Sequence, residues 1–154
     1  MNEALSAEIA RFVRESPDNR QPERGAPWFE APLVGFAAAD DPLFERYRDP
    51  AVIGPFHRTP REILHGAASV VVWVLPIAPS TRRSNRAHRE RPSLDWARTR
   101  SFGEGFNVAL RKHVVAWLAE RGHSAIAPLL APDWRQLDAT PVGIASTWSE
   151  RHAA

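Results

Sequence analysis

Near the N-terminus apolar residues recur at Leu5, Ile9, Phe12 and Val13. This i, i+4, i+7, i+8 stripe predicts an amphipathic helix over residues 3–15. The stretch SPDNRQPERGAP then breaks the pattern with prolines and turn formers. Apolar runs without helical spacing follow. Residues 33–37 read as a short buried strand. SVVVWVL, at 69–75, is β-branched and apolar on both faces, so it reads as a strand central in its sheet, ended by Pro76. Between the two, DPLFERY predicts one or two helical turns. TPREILHG carries a full helix-start signal, with Thr59 as N-cap, Pro60 at the first helical position and Glu62 closing a capping box. Gly66 suits the left-handed position after the helix.

In the second half, Phe106, Leu110, His113, Val114, Trp117 and Leu118 fall on one face of a helix expected over 105–121, with Gly122 after it. SAIAPL reads as another buried strand, and residues 142–145 as a short one. No segment repeats. The order of elements predicts an α/β fold, a small mixed sheet with packed helices, in a single domain.

Composition narrows the picture. Hydrophobic residues make up 44% and charged residues 25% of the 154, the balance of a folded globular chain rather than a disordered one. The absence of cysteine excludes a disulfide scaffold, a thiol nucleophile and a thiolate-held cluster within these residues. The first residues carry Glu3 and Glu8 and no long apolar core, so they do not read as a signal peptide. AASVVVWVLPIAP is too short to span a bilayer and holds two prolines. The expected compartment is the cytoplasm, with no membrane partner.

Formal charge is only +2, but its distribution is uneven. Residues 80–100 hold seven arginines against Glu90 and Asp95, and read as a long arginine-rich loop. Such a loop serves nucleic acid or another anion through phosphate contacts, or is simply solvated. The six histidines show no metal-ligand spacing, and no metal site is expected. FGEGFN offers backbone N–H groups at a helix start, either to an anion or to nothing more than the turn. WSERH, residues 148–152, holds a Ser–Glu–His set. Sequence neighbours rarely converge as a triad, and the plainer reading is a helix start capped by Ser149 or Thr147, with Glu150 in its first turn.

Four stretches taken in order carry a resemblance: REILHGAASVVVWVLPIAP, NRAHRERPSLDWARTR, GEGFNVALRKHVVAWLAERGHSAIAPL and GIASTWSERHAA. From about residue 60 onward the chain resembles the N-terminal half of epoxyqueuosine reductase-like iron–sulfur proteins, relatives of the reductive dehalogenases. The resemblance implies the cofactor-facing, cobalamin-type domain of an oxidoreductase, inactive alone. It implies that the [4Fe–4S] clusters belong to a ferredoxin-like module absent from these residues, so that the chain is one part of a longer or split protein. It also implies a tRNA substrate. On this basis Glu104 is the candidate general acid, and Arg98, Arg100 and Asn107 face the cofactor. Trp148, Ser149, Glu150, Arg151 and His152 lie at the junction with the missing module, and Arg82, Arg83, Arg86 and Arg89 contact nucleic acid. The family's Asp–Tyr–His-like stretch is replaced here by Gly105, Phe106 and Asn107; Glu104 stands one residue away. The alternative is a non-catalytic α/β binding domain whose basic loop takes nucleic acid or another anion.

Overall fold

A computed structural model describes residues 1–154. Six helices and four strands give a mixed α/β chain: α1 (Asn2–Glu15), β1 (Leu33–Ala38), α2 (Pro42–Arg46), α3 (Pro60–Ile63), β2 (Ser69–Val74), α4 (Pro79–Arg86), α5 (Leu94–Ala119), β3 (Gln136–Thr140), β4 (Gly143–Ser146) and α6 (Glu150–Ala153). The strands form two two-stranded sheets, β1 with β2 and β3 with β4. The first pair is antiparallel: Ala39 N–H donates to Ala68 O beyond one end and Glu30 N–H to Pro76 O beyond the other. The second is an antiparallel hairpin whose register shifts between Leu137 and Thr140. β2 is thus one strand of a pair, half-buried along its middle, rather than central in a larger sheet.

Residues cluster into two compact units, Met1–Val34 with Trp73–Trp117, and Gly35–Val72 with Leu118–Ala154. In the first, α1 turns Leu5, Ile9 and Val13 inward. Phe12 stacks on Phe106 and on His113 of α5, with ring centroids 6.0 and 4.2 Å apart. The α5 residues Phe106, Leu110, Val114 and Trp117 are buried, each large apolar side chain contributing about 1.5–3 kcal/mol. The turn after α1 is pinned by Asn19, which is 1% exposed. Its amide donates to Val13 O and Phe29 O and accepts from Phe29 N–H, so a buried polar side chain is fully used.

The arginine-rich segment is not the expected loop. Pro79–Arg86 form α4 and Leu94 opens α5, leaving 87–93 as the connection. Ser93 makes the second helix start. Its Oγ accepts from Trp96 N–H at 3.1 Å and its carbonyl from Ala97 N–H, while its own N–H is held by Asn85 Oδ1. α5 therefore begins eleven residues before the expected position and runs through Gly103 and Gly105.

In the second unit, Thr59 and Glu62 close the capping box on α3, and Gly66 takes φ 76° after it. SAIAPL forms no strand; only a short 3₁₀ turn, Pro128–Leu130, occurs there. The polar stretch Gln136–Thr140, unassigned in the sequence reading, forms the first strand of the hairpin.

Candidate functional site

The first unit holds two clefts, on opposite faces of α5. At about 100° per residue, positions 98, 102, 105 and 106 share one face, while 96, 100, 103, 104 and 107 share the other. On the second face lies a cavity of about 260 Å³. Arg100, Glu104 and Asn107 line it from α5, with Phe29, Trp73 and Trp96 supplying aromatic surface. Trp73, on β2, donates its indole N–H to Asn107 Oδ1 at 3.0 Å, which fixes the amide and leaves its Nδ2 as donor. Glu104 Oε1 accepts from Arg111 Nη1 at 2.7 Å. That guanidinium is 3% exposed, whereas the Glu104 side chain is 48% exposed. Gly103 lets Phe29 close on the helix: a Cβ there would stand 2.6 Å from Phe29 Cζ.

Three of the residues singled out in the sequence therefore meet at one cavity. Arg98 does not join them; it lines the larger cleft, about 520 Å³, on the other face. Trp73 and Phe29 were not singled out. The signal was available only for Trp73, as an aromatic within an apolar strand.

In the second unit the Trp148–His152 stretch packs around a buried histidine. Trp148, 6% exposed, stacks on His57 with centroids 5.6 Å apart and on Phe44 at 6.0 Å. Tyr47 meets the same imidazole edge-on and donates its hydroxyl to His152 O. Ser149 N–H donates to His57 Nε2 at 3.2 Å, so neutral His57 carries its proton on Nδ1. Nδ1 is buried without a partner. Burial, with the charges of His152 and Arg48 adding to it and Glu62 opposing, pushes His57 down to about 4. Gly54 aims the ring: its φ of 137° and its proximity to Phe56 exclude a side chain, and its carbonyl accepts from His57 N–H. Ser149 stands at the start of α6, yet its hydroxyl bonds His152 Nδ1 at 2.8 Å instead of capping the helix. Trp148 is thus part of the local core, while Glu150, Arg151 and His152 are exposed. The Ser149 hydroxyl and the His152 ring meet within one helical turn, whereas a catalytic triad draws its members from separate elements.

Arg82, Arg83 and Arg86 lie within one face of α4, and Arg89 follows the helix; all four are exposed. Arg82 is paired with Glu30 at 2.9 Å. No group of three or more His, Cys, Asp or Glu side chains is placed to hold a metal ion. No helix is long and apolar enough to cross a membrane. No protein-family model, curated protein or solved structure matches the chain.

Proposed function

We propose that this chain is the cofactor-facing part of a cytoplasmic, cobalamin-dependent oxidoreductase that resembles the epoxyqueuosine reductases. The observation that carries the reading is the convergence of Arg100, Glu104 and Asn107 on one aromatic-walled cavity beside Trp73. At about 260 Å³ the cavity falls below the usual range for a drug-sized ligand, roughly 300–1,000 Å³. An edge of a corrinoid would meet indole and phenyl surface from Trp73, Trp96 and Phe29 and the amide and guanidinium donors of Asn107 and Arg100 there. The cavity does not enclose the macrocycle, so further protein surface completes the site. When bound, the cobalamin supplies the reducing centre. Arg100 and the Asn107 amide would orient it, Trp73 and Phe29 would exclude water, and Glu104, held by Arg111, would act as general acid after taking up a proton from solvent. As the resemblance implies, electrons would come from a separate [4Fe–4S] module docked at Glu150–His152, and activity would require that module.

Titration of hydroxocobalamin with the 154-residue chain tests this. A saturable shift of the corrinoid absorbance is expected, weakened in Trp73→Ala and Arg100→Ala. Absence of a shift, or a shift indifferent to both substitutions, refutes the reading.

The ordered presentation of Arg83 and Arg86 on a helix favours a second reading, in which the chain is a non-catalytic binding domain for nucleic acid. Three phosphate contacts from Arg83, Arg86 and Arg89 would give a steep salt dependence, with log K falling roughly 2 to 3 units per decade of salt. tRNA binding that survives Trp73→Ala but is lost in the triple arginine-to-alanine variant, without corrinoid binding, selects it.

A further inference from the structure

The larger cleft, on the face of α5 away from Arg100, Glu104 and Asn107, has a different chemistry. Its floor is aromatic: Trp28 and Phe106 are 3% and 1% exposed, and Phe102 stacks on Trp28 with centroids 6.0 Å apart while remaining 62% exposed. Its rim carries two carboxylates, Asp18 and Glu23, and two guanidiniums, Arg20 and Arg98. The local formal charge is therefore zero, with both signs present.

That balance selects among ligands. An anion meets two carboxylates and a cation meets two guanidiniums, so each leaves like charges opposed and one sign unmatched. A zwitterion satisfies both. Glu23 and Arg98 face each other at 3.6 Å, with side chains 59% and 35% exposed. This is longer than a hydrogen bond, and an exposed pair of this kind contributes little. A ligand ammonium and carboxylate inserted between them would give each a charge-assisted hydrogen bond in its place. The bare ring of Phe102 is then available to stack with an aromatic side chain. The volume, about 520 Å³, lies within the usual range for small-molecule sites.

We propose that this cleft binds a small zwitterion bearing an aromatic group, the chemistry of a free aromatic α-amino acid. The site is independent of the corrinoid reading, since it shares no residue with the cavity on the other face of α5. Gly105 gives a direct handle on it. It lines the cleft, and a Cβ there meets nothing within 4 Å, so a side chain added at this position has room to project into the cleft.

Isothermal titration of L-phenylalanine and L-tryptophan into the 154-residue chain is the test, with 3-phenylpropionate and phenethylamine as the carboxylate-only and ammonium-only comparisons. Saturable binding of at least one amino acid is expected. Each comparison compound should bind at least tenfold more weakly, about the loss that follows one unmatched charged group. Phe102→Ala should weaken binding about tenfold, and Gly105→Leu should abolish it. The proposal is overturned by no saturable heat for either amino acid, by a single-charge compound binding as tightly, or by wild-type binding in Gly105→Leu. A melting temperature of Gly105→Leu no lower than wild type verifies that it is folded.

Discussion

Lowering the pH should destabilise the protein through His57 before any carboxylate pair contributes. The imidazole is 1% exposed and held near a pKa of about 4; in the unfolded chain it returns to its ordinary value of 6.5. Between those values the unfolded state binds a proton that the folded state does not, so stability rises with pH across this window and falls on acidification. The contribution of neutral His57 is complete above about pH 6.5 and is lost progressively as pH drops toward about 4. Each pH unit inside the window is worth about 1.4 kcal/mol, and going from pH 7 to pH 4.5 therefore removes about 2 kcal/mol. For a chain of this length that corresponds to about 4–8 °C in melting temperature. Urea unfolding at the two pH values, followed by tryptophan fluorescence, measures it. His57→Gln keeps an acceptor for Ser149 N–H and removes the titration, so its loss over the same interval should be smaller by about 2 kcal/mol, even though the variant starts from lower stability. Equal pH dependence in wild type and His57→Gln would refute the claim that desolvation of this ring sets the response.

Below pH 4.5 a second group takes over. Arg11, with smaller help from His113 at 2.6 Å, holds Glu8 down to about 2, so its contribution is present above about pH 4.5 and lost toward pH 2; Glu8→Gln should flatten that part of a stability–pH profile. Two glycines on α5 should respond oppositely to alanine. Gly105→Ala should raise stability by about 0.5–1 kcal/mol through helix propensity, whereas Gly103→Ala sets that gain against a collision with Phe29 of about 1–3 kcal/mol; thermal melts of the pair check the difference. Thr59→Ala should cost about 1 kcal/mol by opening the α3 capping box, and Thr59→Ser should restore most of it in the same melts.

Much of the secondary structure was written locally. The Leu5–Val13 stripe gave α1 to within one residue at its start. The Thr59–Glu62 box and Gly66 fixed α3, because caps are satisfied by side chains a few positions away and need no distant partner. The β-branched run at 69–74 made β2, and the strand expected near 142–145 appeared as Gly143–Ser146. Strand identity was less legible where it depends on a partner. SAIAPL has the composition of a strand but enters neither sheet, while polar QLDAT becomes one because its backbone pairs with Gly143–Ser146.

The sequence by itself determined the α/β class and the helix starts with self-contained caps, and the resemblance grouped Arg98 with Arg100, Glu104 and Asn107. Tertiary structure decided what those elements surround. It turned the arginine run into α4 and the first turns of α5, since Ser93 is positioned as a cap by Asn85 eight residues earlier. It divided α5 into two cleft-lining faces and put Arg98 on the one away from Asn107. It also buried His57 between Trp148 and Tyr47, more than ninety residues apart from one another. The physical reason is range. Caps and periodicities act over a few residues of backbone, whereas burial and cavity walls arise only when distant segments exclude water from the same space.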